Sequence, residues 1–359
     1  MLATFSAAHA MKKKIARKML KKTGIHGIGV GYHDPKNPKK GGAVIIYSDS
    51  ISATARGIPS KYSITTKGKK KGKAQGKTQE KTVTVPIRIV KTKKFRSHAD
   101  YKSRIRPIPA GYSTGTTSGS GTIGLIVTNY PNPRQRYIFS NNHVLNPSNS
   151  IAYTETLQPG GADKGQTGKD RVGRLYRFAK LSQNQNNLVD AALAIPLSRP
   201  LLNPRYATVG VIPGHVTSYR IGDRFKKVGR TTGQVSGVVD SVHTDIQVDY
   251  ENLGSVQFLN QTVIKGTSPV SLAGDSGSVW LRQQDNYAAA VNFAGSSDGR
   301  LSISYPIQWF MKKFGTRVAQ PRGVGRVKTI KRNVKDAYTS QLTAKQLASI
   351  QTFKAKIRP

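Results

Sequence analysis

Apolar and polar positions alternate with a period of two along much of the chain, and only three stretches step with the period of a helix. Ile25-His26-Gly27-Ile28-Gly29-Val30-Gly31-Tyr32 and Gly42 to Ser48 predict two strands, with a turn over Pro35 to Lys40 between them. Thr82 to Val90 predicts a third, and Pro86 places it at a sheet edge because proline donates no ladder hydrogen bond. From Gly111 the texture changes to short apolar runs separated by Gly, Ser and Thr, the pattern of an all-β barrel. These runs fall at 121–128, 138–144, 171–178, 187–195, 216–228, 234–242, 246–250, 261–264, 278–281, 288–293 and 301–305. The helical stretches are 11–22, with Ile15, Met19 and Leu20 as a thin apolar stripe, 307–314, and 343–357. In the last, Thr343 and Gln346 form a capping box, and Leu347, Ile350 and Ile357 share a face.

That pattern divides the 359 residues into a basic N-terminal arm (1–24), a small α/β domain (25–106), a β-rich domain (107–314) and a basic C-terminal extension with a helix (315–359). Within the second part, residues 67–81 carry Lys67, Lys69, Lys70, Lys71, Lys73, Lys77 and Lys81 among Gly, Gln and Thr. No core can be built from such a composition, so a disordered loop is expected there. The Gly-x-Gly run at 27–31 has no helix after it, which argues against a dinucleotide site.

Charge changes the picture more than composition does. The chain holds 58 Lys and Arg against 17 Asp and Glu, yet residues 111–310 account for only 18 of the former and 12 of the latter. The excess therefore lies in the flanks, where it would attract a polyanion such as nucleic acid, with the seven lysines of 67–81 as the main contacts. The alternative is a solvated surface kept soluble by its charge. Phe95 and Tyr101 interleave with further basic residues over 91–106 and read as anchors of a linker. No cysteine is present, which excludes disulfides and thiolate metal sites. Ala8-His9-Ala10 has no basic region ahead of it, and no run of about 18 apolar residues occurs. A cytoplasmic setting, bacterial or viral, is expected over secretion, with no transmembrane segment.

The candidate chemistry centres on Ser271-Leu272-Ala273-Gly274-Asp275-Ser276-Gly277-Ser278. Glycines on both sides of Ser276 give a tight loop whose N–H groups can converge on one point. A serine hydroxyl needs a base and an orienting acid. His143 ends the apolar run Tyr137-Ile138-Phe139-Ser140-Asn141-Asn142, and Asp190 interrupts another, Leu188-Val189-Asp190-Ala191-Ala192-Leu193. His243 and His215 sit in an alternating strand and after a Pro-Gly turn. Asp163, Asp170, Asp223, Asp240, Asp245 and Asp249 lie in polar loops or late in the chain.

Gly-Asp-Ser-Gly around Ser276, His143 after Ser-Asn-Asn, Asp190 in its apolar run and the order His, Asp, Ser together resemble the trypsin-like serine protease family, nearest its disulfide-free bacterial members. Lys227-Val228-Gly229-Arg230-Thr231-Thr232-Gly233 and Val291-Asn292-Phe293-Ala294-Gly295 add to the likeness, which spans roughly residues 111–310. It implies a mainly β fold of two six-stranded antiparallel barrels of chymotrypsin type, here preceded by the α/β domain and followed by the basic helical tail. It implies a serine endopeptidase acting on protein or peptide, with His143, Asp190 and Ser276 as triad. The N–H groups of Gly274 and Ser276 become the oxyanion hole; no cofactor or metal is implied. Val270 and Ser271 fall at the base of the primary pocket and Phe293, Ala294 and Gly295 along its wall, so a small or apolar residue is expected before the cut. Ser278 departs from the commoner glycine, for which a modest local change is expected. Asp275 stands where secreted members pair an acid with a new N-terminus, so either the chain is cut near Arg104 to Tyr112 or the acid has another partner. The second is expected. The competing reading is a catalytically silent nucleic-acid-binding or structural protein that keeps the barrels.

Overall fold

The computed structural model describes residues 2–50, 57–68, 79–92 and 100–357, and the chain divides into two compact units, Met1–His98 and Ala99–Pro359. In the first unit, α1 (Phe5–Leu20) begins where the Thr4 hydroxyl accepts from the Ala7 N–H at 3.2 Å. Its Ala7, Ala8, Met11, Ile15 and Met19 are buried in one cluster with Val44, Ile46 and Val85. Burying each of the three large side chains is worth about 1.5–3 kcal/mol, so packing fixes this helix more than propensity does. The basic stretch is therefore not a free arm. Leu20, expected in the apolar stripe, is exposed.

The sheet beside the helix contains β1 (Ile25–Tyr32), β2 (Gly42–Ser48), β3 (Lys61–Gly68) and β4 (Gln79–Lys91), in the order β1-β2-β4-β3. Two expectations are corrected here. Lys67 pairs with Glu80 and Gly68 with Gln79, so both ends of the lysine-rich segment are strand and not loop. Lys67 and Lys81 belong to β3 and β4, whereas Lys69, Lys70, Lys71, Lys73 and Lys77 lie outside the described residues. Pro86 is not at an edge: β4 pairs with β3 through residue 86 and with β2 from Ile87 onward. Proline occupies the changeover, where only one neighbour asks for hydrogen bonds.

The second unit opens with β5 (Ile108–Ala110), β6 (Ser113–Thr116), β7 (Gly119–Thr122), β8 (Leu125–Asn129), β9 (Arg136–Ser140), α2 (Asn142–Leu145), β10 (Glu155–Leu157), β11 (Arg171–Ala179), β12 (Ala192–Pro196) and β13 (Leu202–Tyr206). It continues with β14 (Gly214–Val216), β15 (Arg224–Gly229), β16 (Gly233–Tyr250), β17 (Gly254–Lys265), β18 (Val279–Arg282), β19 (Ala288–Gly295), β20 (Leu301–Pro306) and α3 (Ile307–Phe314). Last come β21 (Thr316–Val318), β22 (Arg326–Lys328), α4 (Ala344–Ser349) and β23 (Thr352–Lys354). Arg104 and Arg106, grouped by sequence with the α/β domain, belong to this unit: Arg104 Nε lies 3.0 Å from Asp170 Oδ1, and Arg106 donates to the Gln158 carbonyl at 2.9 Å.

One antiparallel sheet runs β21-β8-β9-β12-β11-β10-β6-β7, with β23 added beside β11. In the other, β18-β15-β16-β17-β20-β19 closes on itself through β18–β19, a six-stranded barrel to which β14 and β22 are appended. The runs 234–242 and 246–250 form one strand, β16, whose pairing with β17 is interrupted near His243, a residue at φ 58°. The expected C-terminal helix is only α4. Its capping box is present, but the chain then extends as β23 along Arg177 to Ala179, and Ile357 is 70% exposed. The connector after α3 is likewise structured, contributing β21 to one sheet and β22 to the other.

Candidate active site

The histidine expected at a strand end sits one step further on, in the single turn α2 that follows β9. From there His143 Nδ1 reaches Asp190 Oδ2 at 2.5 Å. Asp190 is completely buried. A buried carboxylate demands donors for its roughly four lone-pair sites, and four are present. Oδ1 accepts from the Asn142 N–H at 2.6 Å and the His143 N–H at 3.3 Å; Oδ2 takes the imidazole and the Tyr250 hydroxyl, the latter at 2.9 Å. The Asp190 carbonyl accepts from Asn141 Nδ2 at 2.6 Å and the Tyr305 hydroxyl at 2.9 Å. Burial, then the charge of Asp190, pushes both phenols well above the ordinary tyrosine range, so they stay protonated donors.

Ser276 lines the same cleft as His143, an open space of ≈ 990 Å³. Its hydroxyl donates to the Phe293 carbonyl at 3.5 Å and makes no hydrogen bond to the imidazole. The loop around it is clamped from outside. The Ala273 carbonyl accepts from the Thr231 hydroxyl at 2.7 Å, which leaves the N–H of the same peptide, on Gly274, facing the opposite way. The Asp275 carbonyl accepts from Ser278 N–H at 3.0 Å, Ser278 Oγ at 2.6 Å and Asn292 Nδ2 at 3.1 Å, which turns the Ser276 N–H away in turn. Among the described residues neither of these two N–H groups has an acceptor. Gly274 (φ 94°) and Gly277 (φ 90°) hold a backbone that a Cβ would strain, and a Cβ on Gly274 would also meet the Arg230 guanidinium. Ser278 is therefore no mere departure from a glycine pattern: it is buried and its hydroxyl holds the peptide ahead of Ser276.

Asp275 points away from the cleft and is fully buried. Its Oδ1 accepts from the Thr231 and Thr232 N–H groups at 2.9 and 3.0 Å, and Oδ2 from Leu272 at 3.1 Å. Lys227 Nζ lies 3.4 Å from Oδ2, also without exposure, and 5.4 Å from the Trp280 ring centroid. Burial lowers the Lys227 ammonium from its ordinary range, and Asp275 opposes that shift. The acid's partner is thus an internal lysine three residues before Arg230. Arg230 itself grips Asp163 with two nitrogens, and the Ser113 hydroxyl adds a 2.6 Å bond to that carboxylate.

Ser271, Phe293, Ala294 and Gly295 line the cleft as expected, together with Leu272, Leu301 and Ile303. Val270 does not. It is buried against Phe225 and Trp280 in the second barrel's core, behind the wall. The Ser271 hydroxyl is held by Asn292 Oδ1 at 2.9 Å. Apart from His143, the charged residues on the lining are Asp249 and Glu251, both carried by the β16–β17 hairpin. His215 lies elsewhere, buried on β14 with Nε2 2.6 Å from Gln308 Oε1, and His243 faces Ser340. Among the described residues no group of three or more His, Asp or Glu gathers as a metal site would require, and no helix is long and apolar enough to cross a membrane.

Sequence reasoning placed His143, Asp190 and Ser276 but missed Tyr250, Thr231 and the partner of Asp275. Lys227 had a signal only in register, two residues from Phe225 on one face of a strand that also carries Arg224 and Lys226; Tyr250 had little beyond its place in an alternating run.

No protein-family profile and no curated protein matches the chain. Among solved structures it is similar to Thermobifida fusca Protease A, with 18% identity over 59% of this chain and 98% of that one and a TM-score of 0.43. It is also similar to Nocardiopsis protease, with 20% identity, 59% and 99% coverage and a TM-score of 0.42. A third is a glutamic acid specific serine protease, at 19% identity, 59% and 100% coverage and a TM-score of 0.43. The fold itself, read from its two antiparallel sheets and the closed six-stranded barrel, is mainly β and chymotrypsin-like.

Proposed function

We propose that the protein is a serine endopeptidase. The observation that carries this reading is the 2.5 Å contact between His143 Nδ1 and the buried Asp190, made in the same cleft that holds Ser276 and two unpaired amides. The Ser276 hydroxyl is held to the Phe293 carbonyl only by a bond at the outer limit of length, so rotation about Cα–Cβ frees it for a base across the cleft it shares with His143. Catalytic hydrogen bonds commonly tighten only when substrate arrives. Ser276 Oγ then attacks the peptide carbonyl carbon and its proton passes to His143 Nε2. Asp190 stabilises the imidazolium, and the N–H groups of Gly274 and Ser276 bind the oxyanion. The imidazolium returns the proton to the leaving amine as the C–N bond breaks, and water hydrolyses the acyl-enzyme by the same route. Asp275 needs no freed terminus in this scheme, since Lys227 already neutralises it.

The pocket lining of Phe293, Ala294, Gly295, Leu301 and Ile303 favours a small or apolar residue before the cut; no acid sits at its base to select lysine or arginine. A fluorophosphonate probe tests the assignment. Covalent attachment is expected at Ser276, abolished in Ser276→Ala and strongly reduced in His143→Ala. A folded wild type that never labels would leave the barrels as a silent scaffold.

The basic flanks support a second element, localisation on a polyanion such as nucleic acid. Residues 1–98 contain 24 Lys and Arg against 3 acids, and the outward face of α1 presents Lys13, Lys14, Arg17 and Lys18 while its apolar face is buried. A continuous helical row of exposed cations fits a phosphate backbone.

A further inference from the structure

Of the four donors around Asp190, three are supplied by α2 and its own first residues, and the fourth comes from the other barrel. Tyr250 ends β16, the long strand that leaves the second barrel and returns as β17. This hairpin is fastened to the loop that carries the acid. The Asn187 N–H donates to the Gln257 carbonyl at 2.9 Å, the Leu259 N–H to the Asn187 carbonyl at 3.0 Å, and Gln261 Nε2 to the Leu188 carbonyl at 3.1 Å. The Tyr250 ring packs edge-on to the His143 ring, centroids 5.3 Å apart. Its hydroxyl donates to Oδ2, the same oxygen that meets Nδ1.

We propose that Tyr250 is a positioning residue that sets both the direction and the strength of the Asp190–His143 contact. This rests on the serine-hydrolase reading of the site. Direction follows from occupancy: with both lone-pair sites of Oδ1 filled by amides and one of Oδ2 by the phenol, a single site remains, and it faces Nδ1. Strength follows from charge. A phenol donating to Oδ2 draws negative charge from the oxygen that meets Nδ1, and removing the phenol's hydroxyl returns that charge to the oxygen. Among the described residues Asp190 is the ion-pair partner of the imidazole, and the other charged groups lining the cleft, Asp249 and Glu251, sit on the hairpin itself.

The test uses the full chain. In a Ser276→Ala background, which removes turnover, the titration midpoint of His143 is followed by NMR with and without Tyr250→Phe. The midpoint is expected to rise by about half a unit or more once the hydroxyl is gone. Val248→Ala, which loosens the same hairpin without touching Asp190, is expected to leave it in place. In the Ser276 protein, Tyr250→Phe is expected to lower kcat about tenfold with KM unchanged and to move the acidic limb of the pH profile upward. An unmoved midpoint, or an equal shift with Val248→Ala, overturns the proposal. If the midpoint moves while the wild type neither labels nor hydrolyses, the coupling of Tyr250 to His143 stands and the hydrolase reading falls.

Discussion

Lys227 Nζ and Asp275 Oδ2 lie 3.4 Å apart in a place neither side chain shares with solvent. Two charges are tolerated there because each has other partners, Thr232 for the lysine and three backbone N–H groups for the acid. Removing one member strands the other, which typically costs about 3–5 kcal/mol. Lys227→Met is therefore expected to lower unfolding stability by that order in a denaturant titration. Because the Asp275 peptide also orients the Ser276 N–H, kcat should fall with it.

Thr231 holds the Ala273 carbonyl, and through it the Gly274 N–H. Thr231→Val keeps the shape of the side chain and removes the bond, so the peptide gains freedom to turn. Complete loss of an oxyanion donor costs about 2.7–4 kcal/mol; a donor that is merely less well held should cost less. A fall in kcat of about tenfold with little change in KM is expected from steady-state kinetics on a peptide substrate. An equal rise in KM would place Thr231 in substrate binding instead.

Burial pushes the His215 imidazole down to about 4, against about 6.5 in an unfolded chain. Between those values the unfolded chain takes up a proton that the fold refuses, so stability is full above about 6.5 and is lost as pH falls towards 4. Unfolding free energies from urea titrations at pH 7 and 4.5 should differ by about 2–3 kcal/mol from this residue. His215→Gln should flatten that dependence.

Substituting Lys13, Lys14, Arg17 and Lys18 together by glutamine tests the exposed row on α1. If it meets phosphates, wild-type affinity for DNA or RNA should fall steeply between roughly 50 and 200 mM salt, and the variant should lose about 3–4 from the slope of log K against log salt. The buried face of α1 is untouched, so the helix content should hold in circular dichroism.

Many of the strands, and the three side chains of the proposed site, were legible because each announces itself locally. Ser276 has its glycines, Asp190 interrupts an apolar run, period-two alternation marks β16, and β19 is a short apolar run. What stayed hidden depends on residues distant in sequence. Tyr250 lies 60 positions from the acid it serves, and Lys227 is 48 from its partner. The tail misled for a related reason. Its periodicity and capping box specify a helix start, but pairing with Arg177 to Ala179 stops that helix after Ser349. Pro86 misled because one strand there serves two neighbours in succession, a handover that no local pattern records.

β21 and β23 complete one sheet and β22 the other, and all three follow the last residue of the cleft in sequence. A ribosome must therefore thread out residues 316–354 before either sheet has its full set of strands. Until then the cleft residues exist on an unfinished scaffold, so the cleft takes its final form only after strands that leave the ribosome behind it have docked.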